Sequence, residues 1–105
     1  MKKTLSLALA VTAALALSTV AFAGGTSGKA LFDEHCNMCH RDGGNMMKPS
    51  MTLHSKDLKK NGRDSVKGIV GMIRKGGAGM PSFSKSKISD AQAKDIAKYI
   101  LKAYK

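Results

Sequence analysis

The residues with the most chemistry to offer in this chain are Cys36-Asn37-Met38-Cys39-His40, a C-x-x-C-H run. That spacing is the attachment signature of a c-type haem. Each thiol adds S–H across one vinyl double bond on a single porphyrin edge. Two intervening residues let one helical turn span that edge. The histidine that follows presents its imidazole to the iron from one side. Cys36, Cys39 and His40 are therefore the residues expected to hold the cofactor, with His40 as an iron ligand.

Other chemistries of the same residues make different demands. A thioredoxin-like redox pair calls for a βαβ setting, and no stretch alternates with period two. A structural zinc site calls for four Cys or His ligands. Only Cys36, Cys39 and a choice among His35, His40 and His54 are on offer. A plain Cys36–Cys39 disulfide asks least of an exported chain. Haem attachment is the reading carried forward.

A low-spin haem iron takes a second axial ligand. Met38, Met46, Met47, Met51, Met72, Met80, His35 and His54 are the side chains to weigh. Met38 lies inside the attachment loop and His35 beside it, so neither reaches the far face. Met72 falls next to the apolar face of a helix and reads as packing. Met46, Met47 and Met51 surround Pro49 on the proximal side, where thioethers fill irregular space. Met80 sits in Gly77-Ala78-Gly79-Met80-Pro81-Ser82-Phe83. The glycines let backbone approach closely, and Pro81 stiffens the chain just past the sulfur. Met80 is the expected ligand. His54 is the alternative and would make a bis-histidine centre of lower potential.

Helices and loops must place these groups. Lys29 to Cys36 reads as a short helix, and Cys36 to Ser50 as loop. Ser55 to Asn61 forms a helical turn ended by Asn61-Gly62. Asp64 opens a further helix, with Val66, Ile69, Val70 and Ile73 at i, i+3, i+4, i+7 and an end at Gly76-Gly77. Gly76 to Lys87 is loop. The last helix has the clearest signal: Ser89 as N-cap, Gln92 at N3, and Asp90 at the positive end of the dipole. Ala93, Ile96, Ala97, Ile100, Leu101 and Tyr104 form its apolar face. Lys94, Lys98, Lys102 and Lys105 form its solvated one. The expected fold class is all-α with long loops and no repeats.

Composition bounds what surrounds that domain. The chain has 105 residues, with 18 Lys plus Arg against 7 Asp plus Glu and a net charge of +11. Lys2 and Lys3, the apolar run Leu5 to Leu17 and the small-x-small Ala21-Phe22-Ala23 read as a secretory signal peptide over 1–23. The alternative is a membrane anchor, against which the run is short and ends in a cleavage pattern. No cysteine follows the cleavage point, which argues against a lipoprotein. The domain then covers 24–105, 82 residues carrying +9, delivered to the periplasm and away from nucleic acid. So short a chain closes a core poorly without a metal, a disulfide or a cofactor.

Taken together these features resemble a class I monohaem cytochrome c, closest to the small cytochrome c-six kind. Gly28 and Phe32 precede Cys36 at that family's spacing. Gly43-Gly44 and Pro49 follow the attachment motif, and Met80-Pro81-x-Phe83 matches the distal loop. Ser89 to Tyr104 matches the final helix, with Tyr99 where the family packs an aromatic against Gly28. The resemblance implies three to five helices around one covalently bound haem c. It implies His40 and Met80 as iron ligands and a Pro49 carbonyl that accepts a bond from His40 Nδ1. It implies a soluble, monomeric, non-enzymatic carrier that shuttles electrons between larger redox partners, with no stable membrane insertion. Gly68, Gly71 and the basic Arg74-Lys75-Gly76-Gly77 approach depart from the family pattern.

The positive charge, about +7 once two propionates ionise, would steer the chain toward acidic docking surfaces. Lys48, Arg74, Lys75, Lys85 and Lys87 are the expected docking residues. Two rival functions stand beside the carrier. A haem sensor would let a labile Met80 give way to a small ligand. A peroxidase-like enzyme would need an open distal site with a polar residue, for which His54 is the sole choice.

Overall fold

A computed structural model describes residues 27–105 and shows four α-helices. They are α1 (Gly28–His35), α2 (Ser55–Lys60), α3 (Val66–Lys75) and α4 (Asp90–Ala103). A single 3-10 turn over Arg41–Gly43 follows the attachment motif. Among the described residues the only strand-like pairing is an isolated bridge between Gly77 and Met80. The all-α expectation holds. The signal-peptide reading of 1–23 lies outside the described residues.

Each long helix starts where a hydroxyl meets its free amide groups. The Ser27 side chain accepts from Ala30 N–H at 3.1 Å, and Ser65 from Gly68 N–H at 2.9 Å. Helix α3 therefore begins after Ser65, not at Asp64, because the Ser65 hydroxyl sits at the reach of the N3 amide. Helix α4 carries the full capping box: Gln92 N–H donates to Ser89 Oγ at 3.1 Å, and Ser89 N–H to Gln92 Oε1 at 2.9 Å.

The helices meet through their apolar stripes. Phe32, Ile96 and Ala97 are fully buried, with Leu31, Ile69, Ile73 and Ile100 nearly so. Helices α1 and α4 cross where Gly28 faces Asp95 and Tyr99. A Cβ on Gly28 would stand 2.8 Å from the Asp95 carbonyl carbon and 3.1 Å from Tyr99 Cβ. That close approach lets the Phe32 and Tyr99 rings meet at 5.4 Å between centroids. Tyr104 joins them, 5.8 Å from Phe32. Its ring covers Gly43, where a Cβ would lie 2.6 Å away. The 3-10 turn is thus fastened to the end of α4, and Ser55 N–H donates to the Tyr104 carbonyl at 2.9 Å to fasten α2 there too.

Candidate functional site

A cleft runs between α1, α3, α4 and the two loops that follow α1 and α3. Its empty space out to the mouth is about 1010 Å³. Phe32 and Cys36 border it from α1, Ile69, Met72 and Ile73 from α3, and Ile96 and Ile100 from α4. Leu53, Leu58 and Met51 close one side. His40 and Met80 both line it. A largely apolar slot with few polar groups suits a flat hydrophobic cofactor.

Cys36 and Cys39 are both half-buried and are not joined to each other as a disulfide. Cys36 faces the cleft, and its burial pushes the thiol up to about 11. A turn brings the motif together: Cys39 N–H and His40 N–H both donate to the Cys36 carbonyl, at 3.2 and 3.0 Å. The His40 Nδ1 lies 2.7 Å from the Gly44 carbonyl. A carbonyl can only accept, so Nδ1 carries a proton, and Nε2 is the ring nitrogen left to offer a lone pair to a metal. The resemblance implies the Pro49 carbonyl for this bond, and in this structure the carbonyl beside Nδ1 is that of Gly44. The 3-10 turn and the Gly43-Gly44 step bring a carbonyl back only four residues after His40, whereas Pro49 is exposed and does not line the cleft.

The other side of the cleft is built by glycines. Gly76 ends α3 at φ 69°, ψ −161°, a region open essentially to glycine alone. Gly77 and Met80 then exchange backbone hydrogen bonds, each 3.0 Å. Phe83 N–H donates to the Ile73 carbonyl at 2.8 Å and turns the chain back onto α3. Met80 is thereby placed at the cleft on a short tied loop.

The remaining ligand candidates separate by position. Met51 and Met72 line the cleft beside Met80. Met38, Met46 and Met47 are exposed, at 79%, 67% and 58%. Met47 lies over Gly79, its Cγ 3.0 Å from where a Cβ would be. His54 is exposed and outside the lining. Its Nε2 is 3.2 Å from the Asp42 carbonyl and its ring packs edge-on against Tyr104 at 5.6 Å. His35 packs edge-on against Phe83 at 5.9 Å. Among the described residues no three His, Cys, Asp or Glu side chains converge as a zinc site requires.

Arg74 departs from its expected place among the docking residues. Its side chain is only 22% exposed and both Nη groups are engaged inside the fold. Partners nine to sixteen residues away gave no local signal for this. Two cations do face the cleft, Lys48 and Arg63, and Arg63 has no motif in the sequence that marks it. Both suit the carboxylates of a cofactor at the mouth.

Comparison with known proteins shows the family and the fold. The family described as "Cytochrome C oxidase, cbb3-type, subunit III" matches residues 23–100. A cytochrome c6 from Synechocystis sp. is 46% identical over 74 residues, covering 70% of this chain and 61% of that protein. A cytochrome c6 from Rippkaea orientalis is 36% identical over 104 residues, covering 96% and 93%. The solved structure of OmcF, outer membrane cytochrome F from Geobacter sulfurreducens, is 35% identical with a TM-score of 0.73, covering 75% of this chain and all of that one.

Proposed function

Since the chain belongs to the class I monohaem cytochromes c, is similar to cytochrome c6 and carries one covalently bound c-type haem, we propose that it is a periplasmic carrier of single electrons with His40 and Met80 as axial ligands. The haem supplies a one-electron couple between ferric and ferrous iron. Every other task falls to the chain.

Cys36 and Cys39 would tether the cofactor by two thioethers, each S–H adding across a vinyl double bond with no atom lost. Gly44 holds the His40 ring through Nδ1 and leaves Nε2 as the donor. The Gly77–Met80 bonds fix the backbone behind the thioether, which favours a ligand set that changes little as the charge changes. The apolar lining from α3 and α4 keeps water away from the couple. The observation that carries this reading is that His40, Met80 and Cys36 border one cleft, while His54 does not.

Residues 1–23 would be the export signal and 24–105 the working domain. The relatives are named as cytochromes c6, which supports a mobile carrier acting between redox partners. Acidic partner surfaces and a monomeric state complete the proposal. The charge of +9 on 24–105 favours such partners. We read the chain as a carrier and not an enzyme, because His54, the residue that a distal catalytic role would call on, lies outside the cleft.

Reductive titration in the presence and absence of carbon monoxide tests this. The carrier reading expects a single one-electron wave that carbon monoxide leaves unchanged at neutral pH. A ferrous carbon monoxide complex would instead support a ligand sensor.

A further inference from the structure

We propose that Arg74 is a positioning residue that keeps Met80 at the iron, by stapling the segment that leaves Met80 to the start of α4. The inference rests on the reading of Met80 as the sixth ligand.

Three glycines, Gly76, Gly77 and Gly79, surround the approach to Met80. Glycines let the loop take its shape, but they also widen the set of shapes it can visit. A ligand loop of that composition needs a restraint from outside itself. Arg74 supplies one from the last turn of α3. Its Nη1 donates to the Phe83 carbonyl at 3.1 Å and to the Ile88 carbonyl at 2.7 Å. Its Nη2 donates to Asp90 Oδ1 at 2.7 Å. One planar guanidinium therefore bridges the residue three past Met80, the fully buried Ile88 and the first residue of α4. Pro81 stands between Met80 and Phe83 and transmits the restraint with little slack.

The arrangement asks for a fork of donors, which lysine cannot reproduce. Lys85 illustrates the difference. It reaches the other oxygen of the same Asp90 at 3.5 Å with its side chain 74% exposed, and an exposed pair of that kind contributes little. Losing Arg74 would leave the Phe83 and Ile88 carbonyls without their side-chain partner, with the segment held to α3, among the described residues, only by the Phe83 N–H bond to Ile73.

An external ligand such as imidazole enters only when Met80 is off the iron. Its apparent affinity therefore reports how often the loop opens. In the ferric holoprotein, Arg74→Gln is expected to bind imidazole about tenfold more tightly than the parent, with Arg74→Lys in between. Lys85→Gln removes one charge from the same corner and is expected to match the parent. An Arg74→Gln protein with parent affinity and only a lower unfolding midpoint would overturn the inference, leaving Arg74 a purely structural residue. Should that variant not fold, Asp90→Asn is expected to tighten imidazole binding by about twofold, and an unchanged affinity there would overturn it equally. The parent's far-red sulfur–iron band separates the two claims. If the band is absent, the Met80 reading fails and this inference with it. If it is present and the affinities are unchanged, only the role of Arg74 fails.

Discussion

Gly77 and Met80 donate to each other's carbonyls across a two-residue loop, both bonds 3.0 Å long. The backbone behind the thioether is thus held on both sides. The turn that makes this possible begins at Gly76, whose φ of 69° admits no ordinary side chain without strain.

Gly76→Ala is therefore expected to cost about 2–3 kcal/mol of stability. The new methyl would meet the Met80 carbonyl oxygen at 2.7 Å and Pro81 C and Ser82 N at 2.9 Å. Urea unfolding of the holoprotein measures the loss. The far-red band should weaken in the same variant, since the strain falls on the Met80 segment. A variant of parent stability and parent spectrum would refute the assignment of that turn.

Gly28 and Gly71 should respond with opposite signs. Gly28→Ala drives a methyl into Asp95 and Tyr99, and overpacking of this kind costs about 1–3 kcal/mol. Gly71 lies inside α3 with nothing within 4 Å of its absent Cβ. Gly71→Ala should stabilise by about 0.5–1 kcal/mol through helix propensity. Thermal unfolding of the two variants side by side reads the difference.

Acid should loosen the loop before α2. Thr52 donates to Asp57 Oδ2 from its hydroxyl at 2.6 Å and from its backbone at 3.2 Å. These bonds hold the Asp57 carboxyl below its ordinary value of 3.8. A depressed carboxylate contributes stability that is complete above that ordinary value and is lost as pH falls through the lower folded value. The contribution is thus present at neutral pH and disappears in strong acid. Melting temperature measured from neutral to acid pH should fall less steeply for Asp57→Asn than for the parent. Parallel curves would contradict the linkage.

Electron exchange with an acidic partner should slow as salt rises, because screening shortens the reach of the positive field. With Arg74 engaged inside the fold, Lys48, Lys75, Lys85 and Lys87 are the cations left to carry the effect. Stopped-flow rates against ionic strength test this, and a rate indifferent to salt would remove the steering account.

Local signals were legible in the sequence and distant ones were not. Helix α4 could be read in full, because Ser89, Asp90, Gln92 and its apolar face all speak within one helix. The C-x-x-C-H motif at Cys36–His40 is legible because spacing and residue type define it, and Gly76 to Phe83 is legible as a loop from its glycines and Pro81. The start of α3 is ambiguous in sequence because Asp64 and Ser65 are both good caps, and only backbone geometry decides for Ser65. The turn at Arg41–Gly43 has no local signal, because it runs through left-handed backbone at Asp42, φ 56°, a conformation that a non-glycine residue does not announce. The burial of Ile88 and the bonds of Arg74 come from chain segments that meet only in the folded state. The Gly44 carbonyl beside His40 Nδ1 depends on how the chain turns after the motif, which the residue types alone do not define.

The optical spectrum of the ferric holoprotein, compared across Met80→His, Met51→Leu, Met72→Leu and His54→Gln, tests the ligand assignment most directly. His40–Met80 ligation predicts a weak far-red sulfur–iron band in the parent. The same band should persist in the Met51, Met72 and His54 variants and vanish in Met80→His, with a fall in midpoint potential. A low-spin parent spectrum without that band, or a band that survives Met80→His, would contradict the account.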